Sequence, residues 1–345
     1  MKVGRFLAYA ALLGLCAVLA AGLWFDRAFH AMRVMPENTM MFVEPGSGIA
    51  KIARDLEAQG FINDARVFQI GARYIAWRYP KRGGLKAGEY LMPTVASTRD
   101  IIRILHMGKT FQRRLTVPEG LMAVEIVALI NAADAMQGEI VTIPPEGSLL
   151  PETYHYTRGA HRSDIVARMQ KSMNTALDEL WEKRAEGLPI KTREEAVILA
   201  AIVEKETAIA AERPRVAGVF VNRLRMGMKL QTDPTVIYAL TEGKARLGRA
   251  LLRRDLEEVD SPYNTYKYAG LPPGPIANPG YESLAAALNP EKHDFIYFVA
   301  DGSGGHAFGK TLQEHNRNVQ RWRQVRKRTA PAAQPAPAAE AAAEE

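Results

Sequence analysis

Residues 6–25 form an uncharged apolar run, FLAYAALLGLCAVLAAGLWF, with about the length that a helix needs to cross a bilayer. Lys2 and Arg5 precede it, and positive charges in this position belong on the cytoplasmic side. The run is long for a cleavable signal peptide, and WFDR at 24–27 is more typical of a membrane interface than of a cleavage site. We predict a cytoplasmic N-terminus at 1–5 and a single-pass signal anchor at 6–25, with the remainder of the chain outside the cytoplasm.

Composition and charge exclude several classes of protein. The chain has 345 residues, enough for two domains, and its 47% hydrophobic and 24% charged residues are typical of a globular protein. The net charge of +7 suits a polyanionic or membrane-surface environment, but no zinc-finger, helix-turn-helix or RNA-binding signature accompanies it, so we expect no nucleic-acid partner. The single cysteine, Cys16, lies in the apolar run, which excludes an internal disulfide.

A small module follows the anchor. We expect a connector at 26–40 and then, within 41–110, a strand, two helices, a second strand and a third helix. Ser47, Asn63 or Asp64, and Thr98 are the predicted helix caps. The element order is similar to a LysM module, a fold that many cell-wall proteins use to hold glycan chains.

The stretch 195–206, EAVILAAIVEKE, predicts a helix capped by Thr192. At helical spacing, Glu206 shares a stripe with Leu199, Ile202 and Val203, whereas a surface helix would carry its acids on the polar face. Burial against this stripe would raise the pKa of a carboxyl group, as a general acid near neutral pH requires. Surface exposure is the alternative for such an EKE run.

Two polar segments after this helix are candidates for a binding groove. Gln231, Thr232 and Asp233 form a dense polar cluster before Pro234. Residues 261–280, SPYNTYKYAGLPPGPIANPG, predict an ordered loop that presents tyrosines and amides. Aromatic faces and amides suit carbohydrate recognition, since rings stack on apolar sugar faces and amides bind hydroxyl and acetamido groups.

The other segments predict scaffold. Helices are expected at 123–132, 164–187, 215–225, 252–259, 283–288 and 312–328, strands at 112–118 and 294–301, a loop on a concave surface at 148–156, and a hairpin turn at 302–308. From residue 329 the chain is rich in Ala, Pro and Glu, and we expect disorder at 329–345. The fold class is therefore α+β, with a transmembrane helix, a small LysM-like module at 41–110 and a larger mixed α+β catalytic domain at 111–328 that carries the glutamate on a helix.

The runs AAIVEKET, VAGVFVNRLRMGMKLQTDPTVIYAL, SPYNTYKYAGLPPGPIANPG and YFVADGSGGHAF, in this order, resemble the MltG/YceG-like endolytic murein transglycosylases. The resemblance extends over about 41–328. It implies a lyase that cleaves MurNAc–GlcNAc bonds of nascent peptidoglycan, leaves 1,6-anhydroMurNAc ends and acts as a terminase of glycan elongation. One carboxyl group suffices, first as acid and then as base for the sugar's own 6-hydroxyl, and no metal or organic cofactor is required.

The resemblance also implies roles for individual residues. It assigns catalysis to Glu206, in agreement with the stripe, while Glu204 would brace a neighbouring loop or replace Glu206. The groove residues that it implies are Gln231, Thr232, Asp233, Tyr238, Tyr263 and Asn264, and Asn222 and Arg223 are supporting residues, with a structural ion pair as the alternative for Arg223.

Two other functions remain open from the sequence. If Asp233 lies across the cleft from Glu206, a muramidase that uses water becomes plausible, since ordinary glycosidases use two carboxyl groups. A membrane-anchored peptidoglycan-binding scaffold without activity is the other. The expected partners are glycan strands, the membrane, and peptidoglycan synthases of the elongation or division machinery.

Overall fold

The apolar N-terminal run lies in a long helix, α1 (Lys2–His30). The structure is a computed structural model and describes residues 2–80 and 83–329. Within α1, the segment Gly4–His30 is long and apolar enough to cross a membrane. Because the helix continues to His30, the segment 26–30, expected in the connector, is helical instead.

The chain divides into two compact units. The first comprises the described residues up to Arg114 together with Ala135–Gln137 and His155–Ala160. The second comprises Leu115–Asp134, Gly138–Tyr154 and the described residues from His161 onward.

The first unit contains the order of elements expected after the anchor. Its elements after α1 are β1 (Arg33–Val34), β2 (Met40–Val43), α2 (Ile49–Ala58), α3 (Ala65–Arg78), β3 (Gly88–Leu91), β4 (Val95–Ala96) and α4 (Thr98–Met107). Strand β2 pairs antiparallel with β3, with Met41 opposite Tyr90, and β1 pairs antiparallel with β4. Both Met41 and Tyr90 are buried in one core with Phe68, and Phe29 from the last turn of α1 joins that core.

Only one of the predicted caps in this unit is confirmed. Asp64 caps α3, since its carboxylate accepts the N–H groups of Arg66 and Val67. Ser47 does not cap α2, because its N–H closes a turn on the carbonyl of Glu44 and the chain enters the helix through Gly48. Thr98 is already helical.

The cap of α4 is Ser97. Its hydroxyl accepts the N–H of Asp100, while the Asp100 carboxylate accepts the N–H of Ser97. This reciprocal capping box moves the helix boundary one residue before the predicted cap.

The remaining elements follow along the chain. They are β5 (Arg113–Thr116), α5 (Ala123–Asn131), β6 (Thr153–Tyr156), α6 (Arg162–Glu182), α7 (Arg193–Glu206), a short 3₁₀ helix (Ala210–Glu212), α8 (Arg213–Arg225), α9 (Asp233–Thr241), α10 (Arg253–Glu258), α11 (Tyr281–Leu288), β7 (Tyr297–Ala300), β8 (His306–Gly309) and α12 (Leu312–Thr329). Strands β5 and β6 form one two-stranded sheet and β7 and β8 another.

Helix α7 is the centre of the second unit. Thr192 caps it as predicted, with its hydroxyl accepting the N–H of Glu195 at 3.2 Å. Every residue from Ala196 to Val203 is buried, and α7 packs against α8 and α11. A helix that is apolar on all sides belongs inside a core, so the predicted apolar stripe is wrong in extent.

Several element predictions are corrected. Helix α9, with Pro234 in its first turn, was not predicted. The segment 148–156 contains strand β6 rather than only loop, α6 ends at Glu182 rather than near 187, and β7 is half-exposed rather than buried. The segment 261–280 has neither helix nor strand, as predicted. Apart from Thr329, which ends α12, the predicted disordered tail lies outside the described residues.

The close approach of α1 to α3 yields a first test. A Cβ atom added at Gly71 of α3 would overlap the Phe29 ring and lie 3.1 Å from Ile102 Cδ1. We expect Gly71→Ala to destabilise the protein by about 1–3 kcal/mol, the usual cost of overpacking, although alanine favours helices. Thermal unfolding of the full chain in detergent measures the change. Gly84→Ala is the control, since no atom lies within 4 Å of its added Cβ; equal melting temperatures for both variants would contradict the close packing.

Candidate active site

Glu206 is the last residue of α7, and Thr207 continues in extended backbone. The Glu206 side chain is half-buried, and the Thr232 hydroxyl donates a hydrogen bond to its Oε1. Burial raises the pKa of Glu206, and the negative charge of Asp233 acts in the same direction. The Thr232 hydrogen bond, His306 and Arg223 oppose this shift. The net effect is a raised pKa, which is the direction that a general acid near neutral pH requires.

Hydrogen bonds fix the backbone of Thr232 at both its N–H and its carbonyl. Its N–H donates to Thr265 Oγ1 at 3.1 Å, and its carbonyl accepts from Thr235 Oγ1 at 2.7 Å. The preceding residue, Gln231, is in the left-handed region with φ of 51°, and its N–H donates to the Thr265 carbonyl. Non-glycine residues pay for this conformation with about 1–3 kcal/mol of strain. The backbone is therefore held where the Thr232 hydroxyl meets Glu206.

Asp233 lies next to this hydroxyl in sequence and is exposed. Tyr266 Oη donates a hydrogen bond to Asp233 Oδ1 at 2.5 Å. Burial and the carboxylate of Asp233 raise the pKa of Tyr266. Its phenol therefore stays protonated and remains a hydrogen-bond donor to Asp233. The sequence placed Tyr266 in the loop 261–280 but gave it no role.

Glu204, two residues before Glu206, lies in a different environment. Its side chain is 6% exposed and that of Arg213 is 8% exposed, and Arg213 Nη2 lies 3.0 Å from Glu204 Oε1. The same nitrogen lies 2.7 Å from Glu119 Oε2, and Glu204 Oε2 accepts the N–H of Gly280 at 3.0 Å. Both oxygens of Glu204 thus accept hydrogen bonds, which suits an anion. Glu204 links α7 to α8 and to the end of the loop 261–280, an arrangement that matches a brace.

The two supporting residues hold backbone segments in place. Asn222 Nδ2 donates to the carbonyls of His293 and Phe295 at 2.8 and 3.0 Å. Arg223 donates from Nε to the Ile296 carbonyl at 2.7 Å and from Nη1 to the Leu230 carbonyl at 2.6 Å.

These bonds have two consequences. Arg223 fixes the backbone of Leu230, the residue before Gln231. In the described part of the chain, the Arg223 side chain forms no ion pair within 4.0 Å. Its positive charge opposes the rise in the pKa of Glu206.

Of the predicted groove residues in α9 and the loop, Asp233 is exposed and the two tyrosines are partly exposed, whereas Asn264 is buried. The rings of Tyr238 and Tyr263 are half-exposed, with centroids 4.9 Å apart. Asn264 is 0% exposed, and its amide donates to the carbonyls of Leu256 and Val259 while its Oδ1 accepts the N–H of Tyr266. Asn264 is predicted to line the groove; in the structure its side chain is buried, and its hydrogen bonds stabilise the loop that carries Tyr263 and Tyr266.

Sequence reasoning missed a histidine–glutamate pair beside Glu206. The His306 Nδ1 atom lies 2.7 Å from Glu212 Oε2, and Glu212 Oε1 accepts the His306 N–H at 3.0 Å. The only signal for it was a histidine in the turn GSGGHAF. Nothing in the sequence indicated that the 3₁₀ helix would supply its partner.

A further partly buried acid, Glu146, was also missed. Its Oε1 accepts the N–H of Ala123 at 2.8 Å and the amide of Asn278 at 2.7 Å. Burial raises the pKa of Glu146 to about 7. Its charge in turn contributes to raised pKa values at Tyr238, to about 12, and at Tyr263, although burial is the larger cause for both tyrosines.

Within residues 2–80 and 83–329, no group of three or more His, Cys, Asp or Glu side chains is arranged to hold a metal ion. The polar groups around Glu206 come from α7, α8, α9, β8 and the loop 261–280, all in the second unit.

The YceG-like family model matches residues 41–321. The chain belongs to the YceG-like family. An endolytic murein transglycosylase of Bacillus subtilis (strain 168) is 33% identical over 312 residues, which cover 81% of this chain and 83% of that protein. One from Streptococcus pneumoniae serotype 2 (strain D39 / NCTC 7466) is 28% identical, with 88% of this chain matching 63% of that protein. A crystal structure of a yceG-like protein from Listeria monocytogenes is 32% identical, has a TM-score of 0.50, and covers 81% of this chain and 98% of that one.

Glu146 gives a test of pH-dependent stability. Its pKa rises from an ordinary value of 4.5 to about 7 on folding, so the folded protein holds an extra proton between these pH values and loses stability as pH rises through them. We expect Glu146→Gln to match wild type below pH 4.5 and to be more stable above pH 7. The gain should be about 2 kcal/mol after screening by solvent.

Urea unfolding at several pH values measures this difference. The exposed Glu139→Gln is the control. The difference between its free energy of unfolding and that of wild type should be the same at every pH. A constant difference between the Glu146 variant and wild type at all pH values would contradict the burial of a neutral carboxyl group.

Proposed function

We propose that this protein is an endolytic murein transglycosylase. It cleaves MurNAc–GlcNAc bonds within nascent peptidoglycan strands, leaves 1,6-anhydroMurNAc ends, and terminates glycan elongation. Family membership and relatives of that name support the activity. The observation that carries the mechanism is the half-buried Glu206 at the end of α7, with a raised pKa and a hydrogen bond from Thr232.

Glu206 acts twice in the proposed reaction. The protonated carboxyl group donates its proton to the glycosidic oxygen as the bond from that oxygen to C1 of MurNAc breaks. The carboxylate then removes the proton from the 6-hydroxyl of the same sugar, whose oxygen forms a bond to C1. The attack is intramolecular, so it gains the advantage of a held nucleophile, and Glu206 ends the cycle protonated. The Thr232 hydroxyl stabilises the carboxylate between the two steps.

The glycan groove is proposed around this group. Gln231 and Asp233 are exposed polar residues beside Thr232, and the half-exposed rings of Tyr238 and Tyr263 offer faces for sugars to stack on. Glu204, Asn222, Arg223 and Asn264 act through the backbone segments that they hold.

The arrangement along the chain is also a proposal. Residues 1–5 lie in the cytoplasm, 6–25 cross the inner membrane and 26–40 connect the anchor to the ectodomain. A LysM-like module at 41–110 holds glycan, the catalytic domain spans 111–328 on the periplasmic side, and a disordered tail follows at 329–345. A cutter of new strands works beside the enzymes that make them, so we infer contact with peptidoglycan synthases.

The two alternative functions are not favoured by the relatives. A muramidase that uses water needs a second carboxylate as base, and Asp233 is the available one, although its Oδ1 already accepts a hydrogen bond from Tyr266. A non-catalytic scaffold has no need for a buried acid of raised pKa.

Two substitutions separate the roles of the two glutamates. Glu206→Gln should lower strand cleavage by about 10²–10⁴-fold, the usual contribution of a general acid–base, while the protein stays folded. Glu204→Gln should retain more activity per folded molecule than Glu206→Gln. It should lower the melting temperature, because Arg213 loses a buried anionic partner. Initial rates on uncrosslinked glycan and thermal melts measure both.

The matched control is Glu194→Gln, an exposed acid on the same helix. It should leave both rate and melting temperature near wild type. The assignment of Glu206 is wrong if its Gln variant cleaves strands at the wild-type rate.

The chemistry of the product ends tests the reaction class. A transglycosylase releases ends that are lighter by one water than those of a hydrolase, because no water enters the reaction. We expect mass spectra of strands cut by the full chain to contain anhydro ends only. Reducing ends in the same digest would favour the muramidase, and their loss in Asp233→Asn would identify Asp233 as the base.

A further inference from the structure

A groove of about 830 Å³ lies in the first unit, and none of the residues around Glu206 lines it. Residues from α1, α3 and α4 and the segments after α3 and α4 line it. The mechanism proposed above uses none of them.

The groove wall carries positive charge and no acid. Its cations are Arg78, Lys86, Arg99, Arg103 and Lys109, and all five residues are exposed. Among the ion pairs of the described residues, Arg103 alone of these five has a carboxylate within reach, that of Asp100 at 3.8 Å. Clustered cations without acids attract an anion, and their fields add within a concave wall.

His106 of α4 lies in the same wall and is 8% exposed. Neither of its ring nitrogens has a hydrogen-bond partner among the described residues. A buried polar group without a partner is costly, and each such group calls for an explanation. Both ring nitrogens are withdrawn from solvent, so a phosphate oxygen reaches an imidazole N–H when the His106 side chain turns toward the groove.

The groove begins where α1 leaves the apolar run. Phe29 lines the groove and lies four residues beyond Phe25, a distance of about 6 Å along a helix. The polar layer on each side of the hydrocarbon core is about 5–8 Å thick. With 6–25 across the membrane, Phe29 therefore lies at the depth of the lipid headgroups.

The adjoining face of α3 has the composition of a membrane interface. Tyr74 and Trp77 are 58% and 75% exposed, with ring centroids 6.1 Å apart, and Met107 of α4 is also exposed. Tyrosine and tryptophan concentrate at headgroup level, because one end of each ring system is apolar and the other can hydrogen-bond.

We propose that this groove binds the phosphate headgroup of an anionic membrane lipid, with Arg99, Arg103 and His106 as its ligands. The bound lipid holds the first unit against the membrane surface. The proposal rests on the membrane anchoring by α1 stated above, but not on the catalytic assignment.

Native mass spectrometry of the full chain in mild detergent tests this. The probes are phosphatidylglycerol and phosphatidylcholine, with inorganic pyrophosphate as a soluble competitor. Wild type should retain phosphatidylglycerol in preference to phosphatidylcholine. The double variant Arg99→Ala/Arg103→Ala should weaken this binding about 25-fold, since each cation near an anionic lipid contributes about fivefold. Displacement by pyrophosphate identifies phosphate as the recognised group.

His106→Leu separates binding from folding. It removes no hydrogen bond that the structure contains, so its melting temperature should not fall, while lipid affinity should drop about tenfold, as for one hydrogen bond to a charged group. The matched control is Arg54→Ala/Arg66→Ala, two exposed arginines of the same unit outside the groove, which should bind as wild type.

Three results would overturn the proposal. The first is equal retention of phosphatidylglycerol and phosphatidylcholine by wild type. The second is a loss of lipid binding in the control double variant as large as that in Arg99→Ala/Arg103→Ala. The third is binding of pyrophosphate without any preference for phosphatidylglycerol, which would make the ligand a free phosphate. Glu206→Gln should retain the lipid fully, so a failure of the catalytic assignment leaves this result unaffected.

Discussion

The burial of α7 on every side is the constraint on which the second unit depends. Eight consecutive residues, Ala196 to Val203, are withdrawn from solvent, and α8 and α11 pack around them. Three small alanines, Ala196, Ala200 and Ala201, lie among the branched side chains and allow neighbouring helices to approach closely. A helix held this way cannot rotate or shift without opening the core, because protein interiors are close-packed. Its last turn is therefore a rigid support, and the two acids of that turn are placed by the core rather than by a surface loop.

The same rigidity gives two acids of one turn different chemistry. Glu204 and Glu206 are two residues apart, about 200° around a helix, so they face different surroundings. Glu204 forms a salt bridge with a buried arginine and accepts a backbone N–H. Glu206 is half-buried and accepts a threonine hydroxyl, no cation among the described residues bonds it directly, and burial raises its pKa. The proposed brace and the proposed acid thus come from one EKE sequence.

How far the sequence could predict this fold depends on the range of each interaction. Some local signals succeeded: the caps Asp64 and Thr192 act on N–H groups within three residues, and the loop 261–280 follows from its Pro and Gly content. Others failed, since Ser47 does not cap α2 and Ser97, not Thr98, caps α4. Long-range partners were missed. The bond of His306 to Glu212 joins residues 94 positions apart, and that of Glu146 to Asn278 joins residues 132 positions apart. The residue pattern of a single helix or strand does not include partners at such distances along the chain. The burial of Asn264 and its hydrogen bonds to loop carbonyls likewise depend on the folded loop, whereas its residue type alone indicates sugar binding.

Asp233 adds a last step to this reasoning, since one charge serves both halves of the proposed reaction. Its negative charge raises the pKa of Glu206 and so favours the protonated acid that begins the cycle. Once Glu206 has given up its proton, the same repulsion makes its carboxylate a stronger base toward the 6-hydroxyl. Tyr266 holds Asp233 in place through a phenol whose own pKa is raised, so the tyrosine remains a donor throughout. A second carboxylate beside the acid is therefore compatible with single-carboxylate catalysis, because its position tunes the first group without requiring it to activate water.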